Sequence, residues 1–280
     1  MKKGLLYIVL FVGLTAFVGN DSENDVYPVI NQKSFLPGEI IEYRLNFSIF
    51  TVGRGITIVQ DRIYNINGRP AYKVDIYGNT SGLVDLITHV EDHWGAYIDT
   101  TSLLPHQTYR NIIEGRYRKN EKVFFDHDTG KIEVHELDQE TRLFKEPQLF
   151  ESPAKYIYDM LGGILLLRSI DFDTVQVGDT IKVNAFFQDT FYNFRTVFKK
   201  REVIKTRAGK FRALALVPLM PENSIFEEGE SSIEFWISDD ENKMPLLVRA
   251  QMLIGSAGVE ITSFRGIRNP ISSYVHSSWW

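Results

Sequence analysis

His89 and His93 have the spacing closest to that of a metal site, because two histidines four residues apart on a helix share one face and could both bind zinc. Trp94 follows them in a segment that we predict to be a strand. In a strand, residues i and i+4 share a face but lie roughly 13 Å apart. No His-Glu-x-x-His motif occurs. We therefore expect surface or turn histidines and no metal ligands.

Carboxylates offer a second chemistry. Asp92, Asp99, Glu114 and Glu234 lie on or beside predicted strands and could meet as the acid pair of a glycoside hydrolase. The chain has 36 acidic residues, so such combinations are expected by chance. A carboxylate-based hydrolase is therefore only a distant alternative.

Other catalytic and cofactor motifs are missing from the sequence. The chain has no Cys, which excludes thiol chemistry, and no Gly-x-Ser-x-Gly nucleophile turn. Its glycine clusters match neither a P-loop nor a dinucleotide fingerprint. Asp126-x-Asp128-x-Gly130 resembles a calcium loop, but its twelfth position is Leu137 instead of an acid. We predict a non-catalytic protein without catalytic residues, metal or cofactor.

The N-terminus has the composition of an export signal. Met-Lys-Lys is followed by an apolar run over residues 4–18, which predicts a signal peptide over residues 1–19. Residues 16–19 make a poor cleavage site, so an uncleaved anchor is the alternative. We therefore expect a periplasmic or otherwise exported protein. Because the chain has no Cys, we expect that it is not a lipoprotein.

Charge narrows the range of partners. Loss of Lys2 and Lys3 with the signal leaves 29 of the 31 basic residues against 36 acidic ones, a net charge of about −7. Such a chain does not attract nucleic acid. Its aromatic C-terminus, Trp279-Trp280, allows at most peripheral membrane contact.

Most of the chain predicts antiparallel strands that would hold these side chains. Ile41, Tyr43, Leu45 and Phe47 alternate with polar residues, as in a half-buried strand. Asn-Gly at residues 67–68 and the Asp-rich run 126–130 predict hairpin turns. Residues 83–87 read as one helical turn, and residues 20–34 as a flexible leader.

One longer helix is predicted over residues 153–168. Ser152 would cap it, Pro153 suits its first position, and Arg168 would lie at the negative end of its dipole. Leu161 and Leu165 belong to its apolar stripe. Gly162 and Gly163 weaken it by roughly 1 kcal/mol each relative to alanine. Such a helix needs a sheet to pack against.

The strand pattern occurs twice. Gly38 precedes Trp94 by 56 positions, and Gly178 precedes Trp236 by 58; a Leu-Pro or Met-Pro pair follows each tryptophan. We predict a single β-rich domain over residues 35–265, with halves 35–150 and 170–265 and a C-terminal tail 266–280. The fold class is mainly β: two antiparallel meanders form an open or half-closed barrel-like sheet around one central helix.

Several short motifs, in this order, resemble a bacterial exported family known only as domain of unknown function 3108. They are residues 35–39 (Phe-Leu-Pro-Gly-Glu), residues 99–105, Tyr109-Arg110 with Glu114-Gly115, Leu167-Arg168, and Trp236 with Met244-Pro245. The resemblance covers about residues 35–264. It implies a mainly β envelope protein and provides no catalytic residues. More remotely, a meander wrapped on a helix resembles periplasmic lipoprotein carriers, an analogy of fold alone.

We therefore expect a binding or carrier module for an apolar small molecule. Groove candidates are Leu161 and Leu165 on the helix, and Met220 and Phe226 in a Pro-containing loop. The alternative is a structural component of the envelope that binds another protein. An apolar cavity between helix and sheet would favour the carrier.

Overall fold

The computed structural model describes residues 27–219, 233–251 and 255–276. Within these ranges the chain forms fourteen strands and two α-helices. The strands are β1 (Ile40–Phe47), β2 (Phe50–Ile66), β3 (Arg69–Thr80), β4 (Glu91–Asp99), β5 (Pro105–Glu114), β6 (Tyr117–Asp126), β7 (Lys131–Glu136), β8 (Gln148–Glu151), β9 (Thr180–Phe187), β10 (Thr190–Thr206), β11 (Gly209–Leu219), β12 (Ile233–Ser238), β13 (Pro245–Gln251) and β14 (Ser256–Arg265). The helices are α1 (Leu83–Ile87) and α2 (Met160–Arg168). Neither is long and apolar enough to cross a membrane.

All fourteen strands belong to one antiparallel sheet, which confirms the mainly β class. Strands β1 to β8 pair in chain order, as do β9 to β14, and β1 pairs with β14. Strands β8 and β9 form the two edges, so the pairing of the described strands does not close a barrel. The β2–β3 turn has Asn67 and Gly68 at φ 53° and 76°, the left-handed conformation of a tight hairpin.

The two edges of the sheet approach each other through side chains. Phe186 of β9 lies 5.1 Å from Phe150 and 6.3 Å from Phe125, measured between ring centroids. Tyr158, which follows β8 in the chain, pairs with the β9 edge: its amide donates to Asn184 O, and its carbonyl accepts from the amide of Phe186. The sheet is therefore strongly curled, and we call the side against which α2 packs its inner face.

Helix α2 begins at Met160, not at residue 153. The segment before it is extended, because Tyr158 forms a parallel bridge with Ala185. Ser152 hydrogen-bonds only within its own turn, through its Oγ and Ala154. Asp159 is the N-cap, and its carboxylate accepts from the amides of Leu161 and Gly162. A backbone partner on β9 thus replaces the first two predicted turns of the helix.

The apolar side of α2 packs on the inner face of the sheet. Leu161 and Leu165 are buried in one cluster with Val59, Val74 and Ala96 of β2, β3 and β4. The predicted apolar stripe is correct for these two residues.

Two regions of the chain repeat the same backbone contacts. The amide of Gly38 donates to Val59 O, and the amide of Val59 donates to Glu39 O, both at 2.9 Å. The amide of Gly178 donates to Phe198 O at 2.7 Å, and the amide of Phe198 to Asp179 O at 3.0 Å. Strands β1 and β9 both have 8 residues, and β2 and β10 both have 17. These matches agree with two similar halves, which stays a prediction.

The segments at either end of the described chain are held against one end of the sheet, which we call the base: the β2–β3 turn, the β4–β5 turn and residue 38. The amide of Ile30 donates to Thr101 O at 2.8 Å, so residues 27–34 differ from the flexible leader expected there. Residues 266–276 are also packed: the amide of Val275 donates to Lys210 O at 2.7 Å.

Candidate functional site

An apolar cavity of about 250 Å³ lies between α2 and the inner face of the sheet. Its floor comes from β1, β2 and β3, its roof from Leu161, Ile164 and Leu165 of α2, and its far wall from β12, β13 and β14. The cavity therefore joins both runs of strands to the helix.

Two glycines account for the empty space. Gly55 of β2 and Gly78 of β3 are directly paired and both line the cavity, so no side chain fills this part of the inner face. Four residues further along β2, Val59 is paired with Val74 of β3, and both of these side chains pack against α2. A Cβ added at Gly78 would meet no atom within 4 Å. The cavity is thus built into the strand sequence.

Arg168 closes the cavity at the base. Its Nη1 and Nη2 donate to the two carboxylate oxygens of Glu39, at 2.6 and 2.9 Å. Nη2 also donates to Ser34 O, and Nε to Asn242 O. Both charged side chains are buried. The charge of Arg168 is therefore neutralised by Glu39 and does not attract an anionic group into the cavity.

Tyr43 is one of the few polar side chains of the lining. Burial raises the pKa of its phenol, and the opposing effects of the nearby Arg168 charge and of a hydrogen bond with Thr57 are smaller. The phenol is therefore uncharged at neutral pH. The lining offers apolar surface with no net charge, which suits an apolar molecule.

Two of the four predicted groove residues line this cavity: Leu161 and Leu165. Met220 and Phe226 lie outside the described residues. The sequence did not single out the glycine pair at Gly55 and Gly78, because their opposition depends on the register of β2 and β3.

A second, much smaller cavity of about 40 Å³ lies beside the N-terminus of α2. Arg110 lines it and forms a buried bidentate pair with Glu121 at 2.7 and 2.9 Å. Its guanidinium lies 5.8 Å from Trp94 and 5.6 Å from Phe187. The pair forms because Arg110 and Glu121 are directly opposite each other in β5 and β6.

The two histidines four residues apart are held by different carboxylates. His89 Nδ1 lies 2.9 Å from Asp85, and His93 Nε2 lies 2.8 Å from Asp75. Burial raises the pKa of Asp75, but hydrogen bonds from Tyr109, His93 and Gln60 outweigh it and lower the pKa. Among the described residues, no group of three or more metal-ligating side chains occurs.

The four acids considered for hydrolysis do not converge. Asp92 and Glu114 are neighbours. Burial and, to a smaller extent, the Glu114 carboxyl raise the pKa of Asp92. Asp99 lies at the other end of β4, roughly 23 Å away by strand rise. It pairs with Arg69 at 2.7 Å. Glu234 is opposite Arg249 in the β12–β13 pair. The described structure thus brings together one of these pairs, outside the apolar cavity.

Comparison with solved structures places the fold among barrel-like sheets. The chain is similar to a β-barrel-like protein of domain of unknown function DUF1849 from Brucella abortus, with a TM-score of 0.54 and 10% identity over 83% of this chain and 98% of that one. A protein from Bacteroides fragilis, described as exported with a YmcC-like fold, matches with a TM-score of 0.30 and 8% identity over 85% and 99% of the two chains. One from Parabacteroides distasonis, described as a lipoprotein, matches with a TM-score of 0.26 and 11% identity over 84% and 99%.

Sequence comparison is more specific. A search of curated proteins finds no match. The profile of one family, described as a protein of unknown function (DUF3108), matches residues 42–262. This range includes β2 to β13, α2 and nearly all of the cavity lining. The resemblance inferred from the sequence motifs is therefore confirmed, and the chain belongs to the DUF3108 family.

Proposed function

We propose that this protein is an exported, periplasmic binding module that carries an apolar ligand in the cavity beneath α2, without catalysing a reaction. The cavity carries the proposal: it is apolar, joins helix to sheet, and has its one buried cation neutralised by Glu39. The location rests on the signal-like residues 1–19.

The size of the cavity limits the ligand. Small-molecule sites commonly have volumes of roughly 300–1,000 Å³. At about 250 Å³ this cavity is smaller than that range, so it suits one acyl chain or a similar slender molecule. Water gains little in such a space, because the lining has few polar partners. Entry of an apolar group therefore replaces weakly bound water or a void.

Filling the cavity tests the proposal. The Gly78→Leu substitution adds a side chain where the structure has no atom within 4 Å of a new Cβ, so the fold should be retained. We expect the affinity of the variant for a fluorescent fatty acid to fall by roughly tenfold or more, because the leucine takes the place of several ligand methylenes. Titration of the purified mature protein, with native mass spectrometry of the wild type from its own envelope, gives the measurement.

Gly258→Leu is the matched control. Gly258 is also a strand glycine with room for a Cβ, 3.6 Å from the nearest atom, but it does not line the cavity. The control should bind like the wild type. If the wild type carries no apolar mass and takes up no fatty acid, the carrier proposal fails. The alternative, an envelope component that binds another protein, would then come first.

A further inference from the structure

A cluster of apolar side chains is exposed at the end of the sheet opposite the base. We call it the tip and define it as the β1–β2 turn with Ile49 and Phe50, and α1 with Leu83, Leu86 and Ile87. These five side chains are 65–90% exposed. Helix α1 has no buried residue at all. Clustered apolar exposure of this extent marks a surface that contacts another apolar phase or molecule.

The two parts of the tip are adjacent. The amide of Ser81 donates to Val52 O at 3.0 Å, just after the β1–β2 turn and just before α1. Gly53 and Thr80 are paired in β2 and β3. The exposed side chains of both elements therefore belong to one end of the molecule.

The charge pattern indicates what the tip contacts. No charged residue occurs over residues 46–53 or 81–84. The acid of α1, Asp85, already accepts from Thr80 and contacts His89. The β1–β2 turn and the start of α1 are apolar and carry no charge, so they can enter the acyl region of a lipid layer without desolvating ionic groups.

The tip is also close to the apolar cavity. Leu45, Gly55 and Gly78 line the cavity on the strands that lead to the tip. Arg168 and Glu39 close the opposite end, at the base. Tyr27, the first described residue, lies at the base too, with Arg69 3.8 Å from its ring centroid. The cavity is thus bounded by an ion pair towards the base and by apolar residues and glycines towards the tip.

We propose that the tip docks on a lipid surface, with Ile49, Phe50 and the apolar side chains of α1 entering the acyl region. In this orientation the glycine-lined part of the cavity is the part nearest the lipid, which shortens the path of an apolar ligand between the two. This inference adds a docking surface to the proposed function, and docking can be measured without any ligand.

Site-directed labelling tests the orientation. Because the chain has no Cys, single Ile49→Cys and Leu86→Cys variants take a polarity-sensitive fluorophore at one position. Val177→Cys is the control, an exposed apolar position at the base. With neutral phosphatidylcholine vesicles, we expect a blue shift and higher emission at positions 49 and 86, and no change at 177.

Vesicle flotation provides the second measurement. Ile49→Ser and Leu86→Ser should each weaken partitioning by roughly tenfold, whereas Val177→Ser should not. The Gly78→Leu variant should still float, so a failure of ligand binding is distinguishable from a failure of docking. If the emission of the fluorophores at positions 49 and 86 does not change when vesicles are added, the proposal is overturned. A response that depends on protein concentration without lipid would also overturn it, and would assign the tip to contact between two copies of the chain.

Discussion

Asp159 caps α2 with a carboxylate that is buried, and burial disfavours its charged form. Burial raises its pKa to about 6 although the amides of Gly162 and Leu161 lower it. In the unfolded chain its pKa is near 3.8. The folded state therefore binds the proton more tightly, and this residue makes stability fall as pH rises from about 4 to about 6.

The Asp159→Asn variant should lose this pH dependence. Asparagine keeps an oxygen acceptor at the cap but does not titrate. Relative to the variant, the wild type should lose about 2 kcal/mol of unfolding free energy between pH 4 and pH 6.5, most of what a shift of roughly two units is worth. Urea unfolding at several pH values measures this difference. Parallel curves would contradict the prediction, and Asp159→Ala, which also removes the cap, should be less stable throughout.

The sequence identified the type of several site residues but not their partners. Leu161 and Leu165 could be found because apolar spacing on a helix is a local signal. Arg168 was expected at the helix dipole, whereas it pairs with Glu39, 129 positions away. No local pattern predicts a contact between residues so far apart, nor the opposition of Gly55 and Gly78 across a hairpin with a bulge.

At the scale of elements, α2 contains two adjacent glycines with opposite roles. A Cβ on Gly162 would lie 2.9 Å from Asp159 Oδ1 and 3.0 Å from Leu103 O, whereas one on Gly163 would meet nothing within 4 Å. Gly162 thus permits the close approach of the helix to the β4–β5 turn. Gly163 only weakens the helix.

The two alanine substitutions should therefore differ in sign. Gly163→Ala should stabilise the protein by about 0.5–1 kcal/mol, because alanine is the better helix former. Gly162→Ala should destabilise it by about 1–3 kcal/mol, because the backbone of Leu103 cannot move away easily. Chemical denaturation of the two variants beside the wild type is the measurement. Equal effects would show that the helix does not press on the turn.

The start of α2 shows why local signals failed at one element and succeeded at others. Asn67-Gly68 specifies its turn through its own backbone preferences, so that hairpin was predictable. Ser152-Pro153 is an equally good local start signal. It is overridden because Tyr158 bonds to β9, a tertiary contact that holds the preceding residues extended. Local propensity decides where no long-range partner competes.

At the scale of the whole molecule, the two runs of strands share three structures. Strands β1 and β14 are paired over the full length of β1. Arg168 binds Glu39 and Asn242, one from each run. The cavity is lined by both. Strand content and the repeated pattern were readable from the sequence, but this joint between distant strands has no local signal.

Because the two runs are joined by these shared contacts, we expect the described domain to unfold in one step. Two single-tryptophan proteins, one with Trp94 in β4 and one with Trp236 in β12, should have the same urea midpoint. Each is made by replacing the other three of the four tryptophans with phenylalanine. Separate midpoints would mean that the halves fold independently.

A substitution in the β1–β14 pair tests whether the two runs of strands unfold together because this pair couples them. Val259 of β14 is paired with Leu45 on one side and Val248 on the other, so Val259→Pro removes a hydrogen bond from a central strand. If the runs are coupled through the β1–β14 pair, this variant should lower the midpoints of Trp94 and Trp236 together, by the cost of a proline in a sheet. If only the Trp236 midpoint falls, β14 belongs energetically to its own run. The cavity would then lie between two units that move apart independently, and ligand binding would have to join them.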